Sequence, residues 1–161
     1  MEKKNKILIC IVLFAIGMGI LFELEYLYVP LSPPHNLTDV EITLERTACY
    51  GTCPIYSVTI YGDGTVIYDG KQFVKTEGTR TYTIPKESVD ELVGMFYEIN
   101  YFSLNNNYDA NVTDLPTVIT SIKIGNQTKM VSNCGNAGPE RLQDLESKID
   151  EIADSQSLWE K

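Results

Sequence analysis

An uncharged apolar run near the start of the chain constrains its folding more than any other feature. Residues 7–22 carry no charge, and three lysines lie within the first six residues. As a helix, the run would be roughly 24 Å long, a little short of the ~30 Å hydrocarbon core of a bilayer, and residues 23–29 can complete the crossing. The preceding lysines favour a cytoplasmic N-terminus. We therefore expect residues 1–29 to form a single-pass membrane anchor with the rest of the chain outside the cytoplasm.

Two other interpretations of this run stay open. A cleaved signal peptide needs a small-x-small site, and the nearest such triplet, residues 17–19, lies inside the run itself. A buried helix of a globular domain is the second alternative. Beyond the run, the prolines of residues 30–38 disfavour a helix and predict an extended spacer. We expect a folded domain over residues 39–154 and a tail over residues 155–161.

Composition limits the classes of function. Of the 161 residues, 43% are hydrophobic and 22% are charged, as is typical of globular proteins. The formal net charge of -9 repels phosphate backbones, so we expect no nucleic-acid partner. The single histidine, His35, lies in the spacer and excludes histidine-rich metal sites. We expect no cofactor and no metal, and as partners the membrane and an unknown protein or small molecule.

Hydrophobic periodicity predicts the class of fold. Period-two alternation predicts six strands, and apolar residues three and four apart predict two helices, over about 86–100 and 139–153. The predicted strands cover residues 39–47, 55–61, 65–68, 72–84, 117–124 and 128–131. Glycine-containing turns at 62–64, 69–70 and 125–126 predict hairpins. The order of four strands, helix, two strands, helix indicates an α+β domain, an antiparallel sheet of about six strands with two helices packed on it.

The region 42–70 resembles a known family. Its most specific part is the run CYGTCP at residues 49–54, accompanied by Leu44, Arg46 and Tyr56, and weaker matches extend to about residue 153. On these residues the chain resembles the domain of unknown function 6438, a family of exported or membrane-anchored bacterial and archaeal proteins. The resemblance implies an extracytoplasmic α+β module and brings no assigned activity.

Three cysteines in the predicted domain are candidates for covalent or redox chemistry. Outside the cytoplasm, neighbouring thiols tend to form disulfides, and either Cys49 with Cys53 or one of them with Cys134 could pair. The resemblance favours the local pair, because the family signature contains Cys49 and Cys53. A thiol-redox site is a weaker alternative, since Pro54 leads into a strand rather than into a helix that would stabilise a thiolate. A three-thiolate metal site is also weaker, because export favours oxidation of thiols over metal loading.

Surface loops supply the remaining candidates. Tyr50 and Thr52 would point outward from the cysteine loop, and Asp109 and Asp114 lie in a polar loop whose spacing of oxygen ligands suggests calcium. Ala110 stands where a calcium loop needs glycine, which favours a solvated turn instead. Three sequons begin at Asn36, Asn111 and Asn126. We expect a binding module, with an exported thiol-redox or hydrolytic enzyme, using the cysteines or loop carboxylates, as the alternative.

Overall fold

The domain is a seven-stranded sheet with helices on one face. A computed structural model of the chain describes residues 33–34 and 36–159. The strands are β1 (Val40–Arg46), β2 (Ile55–Tyr61), β3 (Thr65–Gln72), β4 (Gly78–Thr83), β5 (Asn107–Asp109), β6 (Thr117–Ile124) and β7 (Gln127–Cys134). The helices are α1 (Lys86–Glu98), α2 (Glu140–Ile152) and α3 (Gln156–Trp159), with a 3₁₀ turn at Tyr101–Ser103.

The strand order corrects part of the predicted architecture. The order across the sheet is β4-β3-β2-β1-β6-β7-β5. Every neighbouring pair is antiparallel except β5 and β7, which run parallel. The α+β class is thus confirmed, whereas a purely antiparallel sheet of six strands is wrong. β5 escaped prediction because its three residues are too few to show a period, and it is held by tertiary contacts such as Ser132 N–H donating to Asn106 O at 2.8 Å.

The core lies between the helices and the residues of one sheet face. In β1, Val40, Ile42 and Leu44 are buried, and the residues between them are partly exposed. The registers place Ile60 and Ile122 beside Ile42, so the apolar side chains of the central strands form continuous rows. The buried face of α1 carries Val89, Leu92, Val93 and Phe96, and that of α2 carries Leu142, Leu145 and Ile149. Burial of these rows is the main driving force for folding.

The second hairpin turns later than its sequence suggests. The predicted turn at residues 69–70 is instead part of β3, which continues to Gln72 before the chain reverses. Gly70 is needed there for space, because a Cβ atom would lie 2.1 Å from Thr76 O and 2.9 Å from Tyr68 Oη. The glycine therefore marks a close approach of the following loop and not a turn.

The predicted membrane anchor falls outside the described residues. Among residues 33–34 and 36–159, the structure contains no helix that is long and apolar enough to cross a bilayer. The anchor at residues 1–29 accordingly stays a prediction. At the other end, α3 lies within the predicted tail, and Thr76 N–H donates to Leu158 O at 2.8 Å.

Candidate ligand site

Arg46 is an inward-facing charge at the end of β1. It continues the register of Ile42 and Leu44, so its side chain leaves the strand on the helix-covered face. It is paired with Tyr56, the second residue of β2, and its Nε donates to the Tyr56 hydroxyl at 3.0 Å. A guanidinium in this position needs an anionic partner from the layer of helices.

That partner is Asp150, near the end of α2. Its Oδ2 accepts from Arg46 Nη2 at 2.6 Å and from Nε at 3.0 Å. Its Oδ1 accepts from the Tyr56 hydroxyl at 2.7 Å and from Ser155 Oγ at 2.5 Å. Asp150 is only 7% exposed, so a buried carboxylate is held by three side chains from three different segments. This cluster fixes the Arg46 guanidinium against α2.

Burial and charge act in opposite directions on the acid–base chemistry of the cluster. Burial alone would lower the pKa of Arg46, but the carboxylate of Asp150 and its hydrogen bonds raise it, so the guanidinium stays charged. Burial, reinforced by the charge of Asp150, raises the pKa of Tyr56 well above its usual value. The phenol therefore keeps its proton and donates a hydrogen bond to Asp150. The cluster as a whole is an ion pair with no net charge.

A second buried acid lies one turn earlier on α2. Glu146 is 2% exposed, and both of its carboxylate oxygens accept from Asn133 Nδ2 at 3.1 Å. Asn133 Oδ1 in turn accepts from Gly138 N–H at 2.8 Å. Burial raises the pKa of Glu146 to about 7, although the Asn133 hydrogen bond opposes the shift. Glu146 thus changes charge near neutral pH inside the core.

Trp159 closes the cluster from the C-terminal side. Its ring stacks on Tyr56 with centroids 6.2 Å apart and planes 16° apart, and Tyr56 stacks on Tyr68 with centroids 5.6 Å apart. Beside these rings lies a pocket of about 290 Å³, which we call the Arg46 pocket. Its lining residues are Arg46, Thr47, Cys53, Pro54, Pro116, Thr117, Val118 and Trp159.

The Arg46 pocket offers hydrogen-bond donors and no net charge. No described residue accepts a hydrogen bond from Arg46 Nη1. Trp159 Nε1 also has no partner among the described residues, but it is buried and therefore is not accessible to a ligand in the pocket. Because Asp150 already neutralises Arg46, the pocket suits a neutral hydrogen-bond acceptor attached to an apolar group better than it suits a free anion.

The cysteine loop forms one wall of this pocket. Cys49 and Cys53 lie at disulfide-bonding distance with Cα atoms 5.8 Å apart, whereas Cys134 is a free cysteine at the end of β7. The loop is joined to the segment before β6, since Tyr50 N–H donates to Asp114 O at 3.0 Å. The geometry is therefore that of the local pairing, and Cys53 is itself a lining residue.

The predicted surface residues fall into two groups. Tyr50 and Thr52 are exposed on the cysteine loop, and the backbone bond to Asp114 brings Tyr50 beside the polar loop. Asp109 is not in this group: its Oδ1 accepts from Asn111 N–H at 2.8 Å within a local turn. The described residues contain no group of three or more His, Cys, Asp or Glu side chains arranged to hold a metal. The sequon residues are all exposed, and they are Asn36, Asn111 and Asn126.

A second cleft lies at the opposite end of β1. It measures about 440 Å³ and is lined by Thr38, Asp39, Val40, Glu41, Tyr61, Lys123, Gly125 and Asn126. It is the larger of the two, but within the described part of the chain none of its lining residues bonds to a buried carboxylate, as Arg46 does to Asp150. We therefore take the Arg46 pocket, with its buried ion pair and fixed rings, as the candidate site.

Sequence reasoning missed most of this site. Arg46 was visible as a charge in the inward register of β1, and Glu146 and Asp150 as acids beside the apolar stripe of α2. Such positions are rarely charged without a partner. The contribution of Trp159 could not be inferred, because a four-residue helix has no periodicity.

The fold and the site together define a class of protein. This is an α+β domain with a mixed sheet, helices on one face and a cysteine loop beside a partly buried arginine–aspartate pair. The chain belongs to the domain of unknown function family DUF6438, whose model matches residues 40–153. The predicted family is thereby confirmed. No curated protein matches the chain.

Proposed function

We propose that this protein is a membrane-anchored, extracytoplasmic binding module whose ligand site is the Arg46 pocket. The observation that carries the proposal is a guanidinium that Asp150 and Tyr56 hold in place at an apolar pocket and whose Nη1 has no acceptor among the described residues. Fixed donors on an apolar surface are typical of binding sites, because the apolar contact supplies affinity and the polar group supplies orientation.

The size of the pocket indicates what it binds. Ligand pockets usually measure about 300–1,000 Å³, and the Arg46 pocket, at about 290 Å³, lies at the lower limit. It suits one apolar side chain of a partner protein, with a backbone carbonyl accepting from Arg46 Nη1. Pro54, Pro116 and Trp159 supply the apolar surface for such a side chain.

The expected location rests on the start of the chain. Lysines precede the apolar run of residues 7–22, which favours export of the residues that come after the run. The Cys49–Cys53 pair at disulfide-bonding distance supports an oxidising compartment. A thiol-redox or hydrolytic enzyme has weaker support, because Pro54 leads directly into β2 and no helix begins at the cysteine pair.

The single tryptophan provides a local test. Trp159 is the only tryptophan of the chain and lines the pocket. We expect members of a library of capped tetrapeptides, each with one central apolar residue, to change the fluorescence of the full-length chain saturably. If no peptide produces a saturable change, the pocket does not bind peptides.

Paired variants then assign the binding to the pocket. The double variant Arg46→Gln/Asp150→Asn removes the ion pair without leaving a buried charge, and it should weaken peptide binding by about tenfold or more. The matched control is Lys71→Gln/Glu45→Gln, which removes an exposed ion pair of 3.2 Å from the same sheet. Equal binding by both double variants would contradict the proposal.

A further inference from the structure

The outer edge of β4 has no neighbouring strand among the described residues. There β4 is the last strand of the sheet and pairs only with β3. Ile84 N–H donates to Gly64 O at 2.8 Å, which sets the phase of hydrogen bonding between the two strands. Because the direction of these groups alternates along an antiparallel strand, Thr79, Thr81 and Thr83 direct their N–H and C=O groups away from the sheet. One of these groups, Thr79 O, accepts a hydrogen bond from the side chain of Arg80, whose Nη1 lies 3.0 Å away.

This edge has few of the devices that usually protect a strand. Natural edges are blunted by short strands, prolines, bulges and charged side chains, and β4 carries one charged side chain, that of Arg80. β4 has six residues, pairs with β3 in continuous register and contains no proline. Its three threonines favour extended structure. The opposite end of the sheet, by contrast, finishes with β5, a strand of only three residues.

The sequence of β4 is complementary to itself. We propose that β4 pairs antiparallel with β4 of a second copy of this chain, with the two-fold axis at Thr81. Thr81 then faces the partner subunit's Thr81, and Thr79 faces the partner subunit's Thr83, each pair exchanging both N–H···O bonds. The two sheets become one continuous sheet across the axis.

The same register brings a cation onto an aromatic ring. Arg80 and Tyr82 point to the helix-covered face, as do their β3 neighbours Tyr68 and Val66. In the dimer, Arg80 lies opposite the partner subunit's Tyr82, in the closely spaced type of cross-strand pair. Arg80 then exchanges its bond to Thr79 O for this ring, which leaves Thr79 O to accept from the partner subunit's Thr83. The Tyr82 hydroxyl donates to Ala153 O, so its ring is already held in place to receive the guanidinium.

The symmetry explains why the association stops at two copies. Each β4 edge is used by its partner, so an isologous pair leaves no β4 edge free. The chain has a net charge of -9, so two copies repel each other unless their contact avoids acidic residues. β4 contains no acidic residue, and the contact joins an arginine to a tyrosine.

Sedimentation velocity of the full-length chain in a mild non-ionic detergent tests the proposal. We expect a concentration-dependent monomer–dimer equilibrium. Thr81→Pro should raise the dimer dissociation constant by about tenfold or more, because the proline removes hydrogen bonds on both sides of the axis. The Thr81 N–H makes no bond to β3, so the proline is compatible with the fold of the monomer.

Two further variants keep the test specific. Thr81→Lys leaves the backbone unchanged but puts two like charges opposite each other at the axis, and it should also dissociate the dimer. The control is Thr128→Pro on β7. Gly135 N–H donates to Pro116 O, and the direction of the N–H groups alternates along the strand, so the N–H of Thr128 points away from β6. This control should stay dimeric.

Hydrogen exchange identifies the interface directly. The amides of Thr79, Thr81 and Thr83 should become protected as the concentration of the chain rises, while the amide of Thr128 should not. A chain that remains monomeric at every concentration would overturn the proposal. So would a dimer that survives Thr81→Pro or dissociates with Thr128→Pro, since either result places the interface elsewhere.

Discussion

Asp150 is the residue on which the candidate site depends most. It balances the charge of Arg46 and accepts hydrogen bonds from Tyr56 and Ser155 while being almost fully buried. A buried ion pair adds little to stability compared with apolar residues, but removal of one partner leaves the other charge without compensation. The pair is therefore best understood as a device that orients Arg46.

A double-mutant cycle measures this dependence. We expect Asp150→Asn to lower the free energy of unfolding by about 3 kcal/mol, because it strands the guanidinium. Arg46→Gln/Asp150→Asn should restore part of that loss. Urea unfolding of the four proteins gives the coupling energy. Additive effects of the two substitutions would show that the residues do not interact.

Glu146 makes the stability of the domain depend on pH near neutrality. Its pKa in the folded state is about 7, against a usual value of 4.5, because burial favours the neutral acid. When folding raises the pKa of a carboxyl group, its contribution to stability is fully present at a pH below the pKa of the unfolded state. This contribution is lost as the pH rises through the pKa of the folded state. We expect the free energy of unfolding to fall by about 3 kcal/mol between pH 4.5 and pH 8 from this group alone.

Glu146→Gln should remove this pH dependence and give a domain more stable than the natural one at pH 8. The amide carbonyl can still accept from Asn133 Nδ2, and no charge has to be buried. Urea unfolding over this range of pH is the measurement. Glu140→Gln, at an exposed position on the same helix, is the control and should keep the natural slope. An unchanged slope in Glu146→Gln would refute the assignment.

At the scale of elements, the cysteine loop is a small closed ring at the end of the sheet. A disulfide between Cys49 and Cys53 closes so few residues that the entropic gain is on the order of 2 kcal/mol at most. Its benefit is geometric, because it shapes the wall of the Arg46 pocket that contains Cys53 and Pro54.

Peptide mapping under non-reducing conditions should find Cys49 joined to Cys53 and Cys134 free in protein from its native compartment. The double variant Cys49→Ala/Cys53→Ala should lose no more than about 2 kcal/mol of stability. Cys49 joined to Cys134, or three free thiols, would contradict this pairing.

Two glycines differ in the space around them, so replacing each by alanine should have opposite effects on stability. Gly70→Ala in β3 should be strongly destabilising, because its Cβ would lie 2.1 Å from Thr76 O. Gly94→Ala in α1 meets no atom within 4 Å and should stabilise the domain by about 0.5–1 kcal/mol through helix propensity. Thermal unfolding compares them. Equal effects would mean that the loop after β3 moves freely out of the way.

At the scale of the whole molecule, the proposed membrane anchor predicts on which side of the membrane the site works. We expect protease added to intact cells to reach the domain, with the first six residues still present in the mature chain. The physical reason is the cluster of lysines before residues 7–22, which resists translocation. Recovery of a soluble protein that starts near residue 21 would show a cleaved signal peptide instead.

Local patterns determined the elements that have a strong periodicity. β2 and β6 have the predicted bounds, and α1 and α2 lie within the predicted ranges, because alternation and apolar stripes are properties of neighbouring residues. The two-residue loop at Gly125 and Asn126 was predictable for the same reason. The α+β class is a consequence of the order of these elements.

Tertiary structure alone decided the rest. The parallel pairing of β5 depends on β7, and the role of Gly70 depends on the later loop that approaches it. The site depends on contacts over long sequence separations, such as Arg46 with Asp150, which no short-range pattern records. A sequence specifies which faces are apolar through local spacing, but the partner of an isolated buried charge is set only when distant elements pack together.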